Sequence, residues 1–236
     1  MSRLVLASIS PRRKDLLLRL VDSFQLASSN VEDVGSTFSP AEPLPTIVLP
    51  AGYPRLDKED PQLWAWRKAF DVATSARYTA HDADDCLILS ADTVVVSRLL
   101  VLGKPSNLVE ARDMLRLLRG TDHFVVTGFA LLLNRQRQAV TLNVGFETTR
   151  VVMRAFSEDE LEGYVATGEP FDKAGAYALQ GEGGKLVSAV EGCATNVVGL
   201  PLCQLRRLLE QAGVSLRKPP DGGYCAYCPT RAAVVR

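Results

Sequence analysis

Histidine is almost missing from this chain. Only His81 and His123 occur in 236 residues, which nearly excludes a Ser-His-Asp triad and argues against a His-rich zinc site. An excess charge of one sign is missing too. Lys plus Arg number 27 and Asp plus Glu number 27, so no bulk field draws the chain to a nucleic-acid polymer or an anionic membrane. Any polyanionic partner must be held by a local cluster. No apolar run reaches transmembrane length. The short apolar opening "MSRLVLASIS" runs straight into "PRRKD", which reads as a buried first strand rather than a signal peptide. The five cysteines are an odd number (Cys86, Cys193, Cys203, Cys225, Cys228). Without a secretory signal they read as thiols of a cytoplasmic protein. "CAYC" at Cys225 and Cys228 lacks a second ligand pair for a metal and the helical context of a redox motif, so it reads as incidental. Chemistry is left to carboxylates, lysines, arginines and an oxygen-bound metal.

What is present suits one large core. "RLVLAS" reads as a strand, and Ser10 and Pro11 open a helix to about Leu20. "FQLASS" is a second strand leading to Glu32 and Asp33. Residues 35–61 carry six prolines and form an irregular insertion. A helix follows, with Leu63, Trp66, Phe70 and Ala73 expected on its buried face and Lys68 off it. "CLILSADTVVV" and "LLVLGKP" read as strands, the latter ending at Lys104. Asn107 with Glu110, and Ser157 with Glu160, form capping boxes for two further helices. Between those helices lie three strand candidates, "HFVVTGFALLL", "QAVTLNVGFET" and "TRVVMRAF". A glycine-bearing loop, the strand "KLVSAV" and the helix "PLCQLRRLLEQAG" complete residues 1–216. The Cys-rich tail 217–236 reads as loosely attached. Interleaved crossovers with a hairpin segment predict an α/β domain, a mixed twisted sheet flanked by helices.

Several positions could carry chemistry. Ser8, Ser10, Arg12 and Arg13 sit where a strand end meets a helix start. Hydroxyls and guanidiniums there suit phosphate oxygens, although Walker glycines are absent and a plain cap with surface arginines stays open. Asp92 interrupts an apolar strand, where an unpaired carboxylate is costly, so it is expected to be a general base or a metal ligand. Glu32 and Asp33 read either as partners of Asp92 in holding Mg²⁺ or Mn²⁺, or as a solvated turn. Lys68, Lys104 and Lys173 each lie at an element end or beside turn residues.

Together the blocks "LASISPRRKDLL", "VED", "RKA", "SADTVV", "LGKP", "ARDMLRLLRGTDHFVVTG", "GEPFDKAGAYALQG" and "NVVGLPL" resemble the Maf family of nucleoside triphosphate pyrophosphatases, in family order from residue 4 to about 210. The resemblance implies a Maf/ITPase-like fold with a substrate cleft. It implies divalent-metal-dependent hydrolysis of a nucleoside triphosphate to the monophosphate and pyrophosphate. It makes Asp92 the catalytic acidic residue and proton acceptor, and connects Arg12, Thr93 and Gln180 with substrate choice. Ser8, Arg13, Glu32, Lys68, Lys104, Asp172 and Lys173 match other cleft positions. "SPRR", "ADT" and "LQG" are similar to the branch acting on dTTP and UTP, not to the 7-methyl-GTP branch. A homodimer is implied only by the resemblance. Three alternatives remain to be tested against it: a non-catalytic nucleotide sensor or partner-binding protein, suggested by the proline-rich insertion and the tail, a pyrophosphatase of the 7-methyl-GTP type, and a phosphatase.

Overall fold

The computed structural model describes residues 3–29, 31, 40, 43–56, 60–75, 85–135 and 138–219. Arg3–Ala7 forms β1, and Pro11–Leu17 forms α1 behind its Ser10 cap. β2 is Gln25–Ala27, α2 is Pro61–Thr74, β3 is Cys86–Val96 and β4 is the short Val101–Leu102. α3 spans Leu108–Leu118, followed by the long strands β5, Asp122–Arg135, and β6, Gln138–Met153. α4 is Glu158–Ala166, β7 is Val187–Glu191, α5 is Ala194–Val198 and α6 is Leu202–Gln211. Short 3₁₀ turns fill the glycine-bearing stretch between α4 and β7.

These strands form a mixed sheet of order β2-β1-β3-β5-β6-β7, with β4 beside the end of β3. β1 is parallel to both β2 and β3, and the other pairings are antiparallel. Because side chains alternate along a strand, β3 divides the core. Leu87 and Leu89 pack with Leu16, Leu17, Leu202 and Leu205 of α1 and α6, while Val95, further along on that face, packs with Leu115 and Leu118 of α3 and Leu161 of α4. On the other face Cys86 and Ile88 meet Ala65, Trp66 and Ala69 of α2, and Val94 and Val96 meet Leu56. The packing partner thus changes midway along β3 on both faces. That midpoint is Asp92 and Thr93.

Several expectations are corrected. "QAVTLNVGFET" and "TRVVMRAF" are one strand, β6, because no turn former interrupts the join at the β-branched Thr148 and Thr149. The buried face of α2 is Gln62, Ala65, Trp66, Ala69, Val72 and Ala73; Leu63 and Phe70 lie at its margins. The helix packs against β3, β5 and β6 at once, so small residues take the closest positions, and Phe70 stacks on Trp66 with ring centroids 4.8 Å apart. α1 ends three residues earlier than expected, although Leu20 beyond it is fully buried. Glu110 leaves its expected capping box to accept from the Ser106 amide, 2.7 Å away, and only Asn107 caps α3. The Ser157–Glu160 box is complete. Cys203 is disulfide-bonded rather than a thiol, whereas Cys86 and Cys193 are buried thiols. Arg217, the first residue of the expected tail, donates its amide to Leu20 O at 2.8 Å and its guanidinium to Asp22. Residues 220–236, with Cys225 and Cys228, lie outside the described residues, as do Glu32, Asp33 and His81.

Candidate active site

β1 lies between β2 and β3, and the chain leaves it first to one side and later to the other. Such a reversal opens a crevice at the strand's carboxyl end. Here the opening is measurable. The register of β1 on β3 stops at Leu89, and β4 takes up the same edge only at Val95. Asp92 and Thr93 fall in this interval, pointing to opposite faces.

On the α2 face, Lys68 Nζ donates to Asp92 Oδ1 at 2.7 Å, with side chains 12% and 21% exposed. Desolvation of such a pair is offset by its short, charge-assisted bond. The placement is built locally. Asp60 caps α2 by accepting from the Gln62 amide at 2.8 Å, and the Ser90 hydroxyl donates to Ala65 O, pinning the helix to β3 two residues before Asp92. Gly128, opposite Asp92 on β5, admits the helix start: a Cβ there would meet the Pro61 carbonyl carbon at 2.2 Å. The second oxygen of Asp92 makes no hydrogen bond among the described residues and remains available to water or a cation.

On the α1 face, Arg13 Nη2 donates to the Thr93 hydroxyl at 3.0 Å and its Nε to Gly199 O at 2.9 Å. Its Nη1 reaches Ser8 Oγ at 3.5 Å. Thr93 also meets the buried Thr127 hydroxyl at 3.0 Å, and Thr127 donates to Asn196 O at 3.0 Å. Arg13 therefore knits α1, β3 and the end of α5 together. Arg12 instead crosses to the 3₁₀ segment, bonding Asp172 Oδ2 at 2.8 Å and Asp172 O at 3.0 Å. Lys173 bonds the other Asp172 oxygen at 2.5 Å. Partial burial pushes the Asp172 carboxyl up, but its bonds to Lys173 and Arg12 outweigh this and the net shift is downward. Lys104 and Gln180 stand exposed, and neither makes a hydrogen bond or ion pair among the described residues.

The Lys68–Asp92 pair of one face and Arg13, Thr93 and Gly199 of the other line one cavity of about 560 Å³, together with Ser28, Ser29 and Tyr177, while Thr127 and Asn196 support it from behind. Every expected site residue among the described ones is in it: Ser8, Arg12, Arg13, Lys68, Asp92, Thr93, Lys104, Asp172, Lys173 and Gln180. The sequence reading missed Thr127, Asn196 and the Gly199 carbonyl. Thr127 was accessible through strand pairing, since it sits opposite Thr93 in the β3–β5 register. The carbonyl of a helix-ending glycine carries no side-chain signal. No group of three or more His, Cys, Asp or Glu side chains that could hold a metal exists among the described residues. A magnesium-like ion nevertheless fits the donor set, because one or two carboxylates suffice when phosphate oxygens and water complete its shell. Asp92 offers the free oxygen, and Glu32 is the expected second ligand.

The Maf-like protein family model matches residues 3–212. The chain is 41% identical over 216 residues to the dTTP/UTP pyrophosphatase of Pelotomaculum thermopropionicum, covering 92% of this chain and 100% of that protein. It is 39% identical to the dTTP/UTP pyrophosphatase of Dictyoglomus thermophilum, over 90% of this chain and 97% of that one. Identity to the protein of the same name from Caldicellulosiruptor saccharolyticus is also 39%, over 92% and 98%.

Proposed function

The chain belongs to the Maf family, and from that premise we propose that it hydrolyses nucleoside triphosphates, dTTP, UTP and related or modified pyrimidine nucleotides, to the monophosphate and pyrophosphate. One observation carries the reading. A carboxylate held by one lysine faces a cleft that also carries Arg12, Lys104 and Lys173. A triphosphate brings about three to four negative charges, and this is the charge pattern that would receive it.

Each residue then has a task. Asp92, oriented through Oδ1 by Lys68, accepts a proton from the attacking water at its second oxygen. Lys104 and Lys173 bind phosphate oxygens and stabilise the charge that develops on the leaving pyrophosphate. Arg12 joins them by exchanging its Asp172 partner for phosphate. Arg13, through Thr93 and Gly199, holds the walls in register. Alternatively, that same Asp92 oxygen would join Glu32 in holding Mg²⁺ or Mn²⁺, which would supply further neutralisation of the phosphate chain. Thr93 and Gln180 contribute to the choice of nucleotide. No helix among the described residues is long and apolar enough to cross a membrane. A cytoplasmic location is proposed on the substrate alone, since the free nucleotide pool is there.

The test is a panel of UTP, dTTP, CTP, ATP, GTP and 7-methyl-GTP with Mg²⁺ or Mn²⁺, run on the natural chain and on Asp92→Asn. Pyrophosphate is expected mainly from UTP and dTTP, and the variant should lose at least about a hundredfold in rate with an unchanged circular dichroism spectrum. Tight binding without any product would favour the nucleotide-sensor reading. Undiminished turnover by Asp92→Asn would remove that residue from its role.

A further inference from the structure

The polar groups of the cleft suit a phosphate chain, but half of a nucleotide is a base and a sugar with apolar faces. Among the apolar side chains that line the cleft, one stands out by its exposure. Ile9 is 84% exposed, the most exposed large apolar side chain among the described residues. Leu26, Val48, Leu99, Leu100, Leu108, Val109, Val140 and Leu142 are also exposed, yet of this whole group only Ile9 lines the cavity. Exposure of such a side chain is unfavourable in water, and nothing in the local fold requires isoleucine there.

Its placement is fixed. The Ser10 amide donates to Ser8 Oγ at 3.2 Å, and the Arg13 amide donates to Ser10 Oγ at 3.4 Å. Arg13 then anchors the turn to Gly199. The backbone on both sides of Ile9 is thereby held, and β-branching restricts its own rotamers. The turn presents an apolar group to the cleft instead of folding it into the core.

We propose that Ile9 is a substrate-contacting residue that packs against the apolar face of the nucleoside, base or sugar, and so contributes to nucleotide binding and selection. This rests on the function proposed above, since it presumes a nucleotide in the cleft. An apolar contact of this kind is made in the ground state as well as the transition state, so it acts on KM rather than kcat.

The experiment compares the natural chain with Ile9→Ser and the conservative Ile9→Val. It measures kcat and KM for UTP, and dissociation constants for a non-hydrolysable UTP analogue and for inorganic tripolyphosphate. For Ile9→Ser, KM and the analogue's Kd should rise roughly three- to tenfold. Its kcat should change by less than about twofold, tripolyphosphate affinity should hold, and the melting temperature should not fall. Ile9→Val should recover most of the loss. An unchanged analogue Kd, an equal loss for tripolyphosphate, or a change in native mass that accounts for the effect would overturn the proposal. The two claims separate cleanly. Weakened analogue binding without turnover in any form supports the Ile9 contact while hydrolysis fails; normal UTP hydrolysis with Ile9→Ser indistinguishable from the natural chain rejects the contact and leaves hydrolysis standing.

Discussion

At the scale of single residues, the chemistry is written at the ends of elements and in one interruption. Asp92 could be picked from the sequence because a carboxylate inside "CLILSADTVVV" demands compensation, and Lys68 provides it. The pairing itself was not legible, since Lys68 lies 24 positions away and only the packing of α2 on β3 brings it there. The two histidines offered no catalytic reading, but His123 has a structural one. Its Nε2 lies 2.7 Å from the hydroxyl of Tyr177, and its Nδ1 is buried with no partner among the described residues. Tyr177 lines the cleft, so the contact anchors the segment between Lys173 and Gln180. Burial lowers the His123 pKa to about 4, with the Asp122 charge opposing weakly. The unfolded chain therefore takes up a proton first as pH falls. The stabilisation from a neutral His123 is fully present above about pH 6.5 and disappears toward pH 4, amounting to up to about 3 kcal/mol. Urea midpoints measured across that window should fall steeply for the natural chain and less steeply for His123→Gln.

At the scale of elements, caps and turn formers made most helices legible, and burial faces were less so. The expected stripe on α2 followed helical spacing through Leu63, Trp66, Phe70 and Ala73, whereas the observed one is set by how closely the helix approaches the sheet. Trp66 and Ala73 lie on both; Leu63 and Phe70 lie at the margin of the observed face. The same closeness gives a sharp contrast between two glycines. At Gly128 a new Cβ meets backbone atoms of Pro61 and Gln62, which cannot rotate away, while at Gly163 in α4 it meets nothing within 4 Å. Gly128→Ala should cost about 2 kcal/mol or more and reduce turnover by drawing Lys68 off Asp92. Gly163→Ala should stabilise by about 0.5–1 kcal/mol. Thermal melts with matched UTP assays separate the two effects.

At the scale of the whole molecule, the proline-rich insertion changes meaning. The sequence reads it as an irregular addition, and its described residues 40, 43–56 and 60 form no helix or strand, while Pro61, its last residue, opens α2. Yet Leu56 is buried against Val94, Val96 and Val126, and Tyr53 packs edge-on against Phe124, 4.9 Å between centroids. The Tyr53 hydroxyl donates to Asp122 Oδ2 at 3.0 Å, which also accepts from Arg150 Nε at 3.0 Å. Among the described residues it is this segment that covers the Val94, Val96 and Val126 end of that sheet face. Without regular hydrogen bonding it leaves no periodic trace, which is why its role was not legible. Leu56→Ala should therefore behave as a core substitution, costing about 2–4 kcal/mol in denaturant titration despite its loop position.

The cleft owes its existence to this arrangement of layers, and its central claim is a bond: the one between the α and β phosphates. Phosphorus NMR of UTP incubated with the purified chain and Mg²⁺ or Mn²⁺ observes that bond directly. UMP and pyrophosphate appearing in equal amounts, with no UDP at any time, is the predicted result. UDP with orthophosphate would contradict cleavage at that position and return the cleft to phosphatase chemistry.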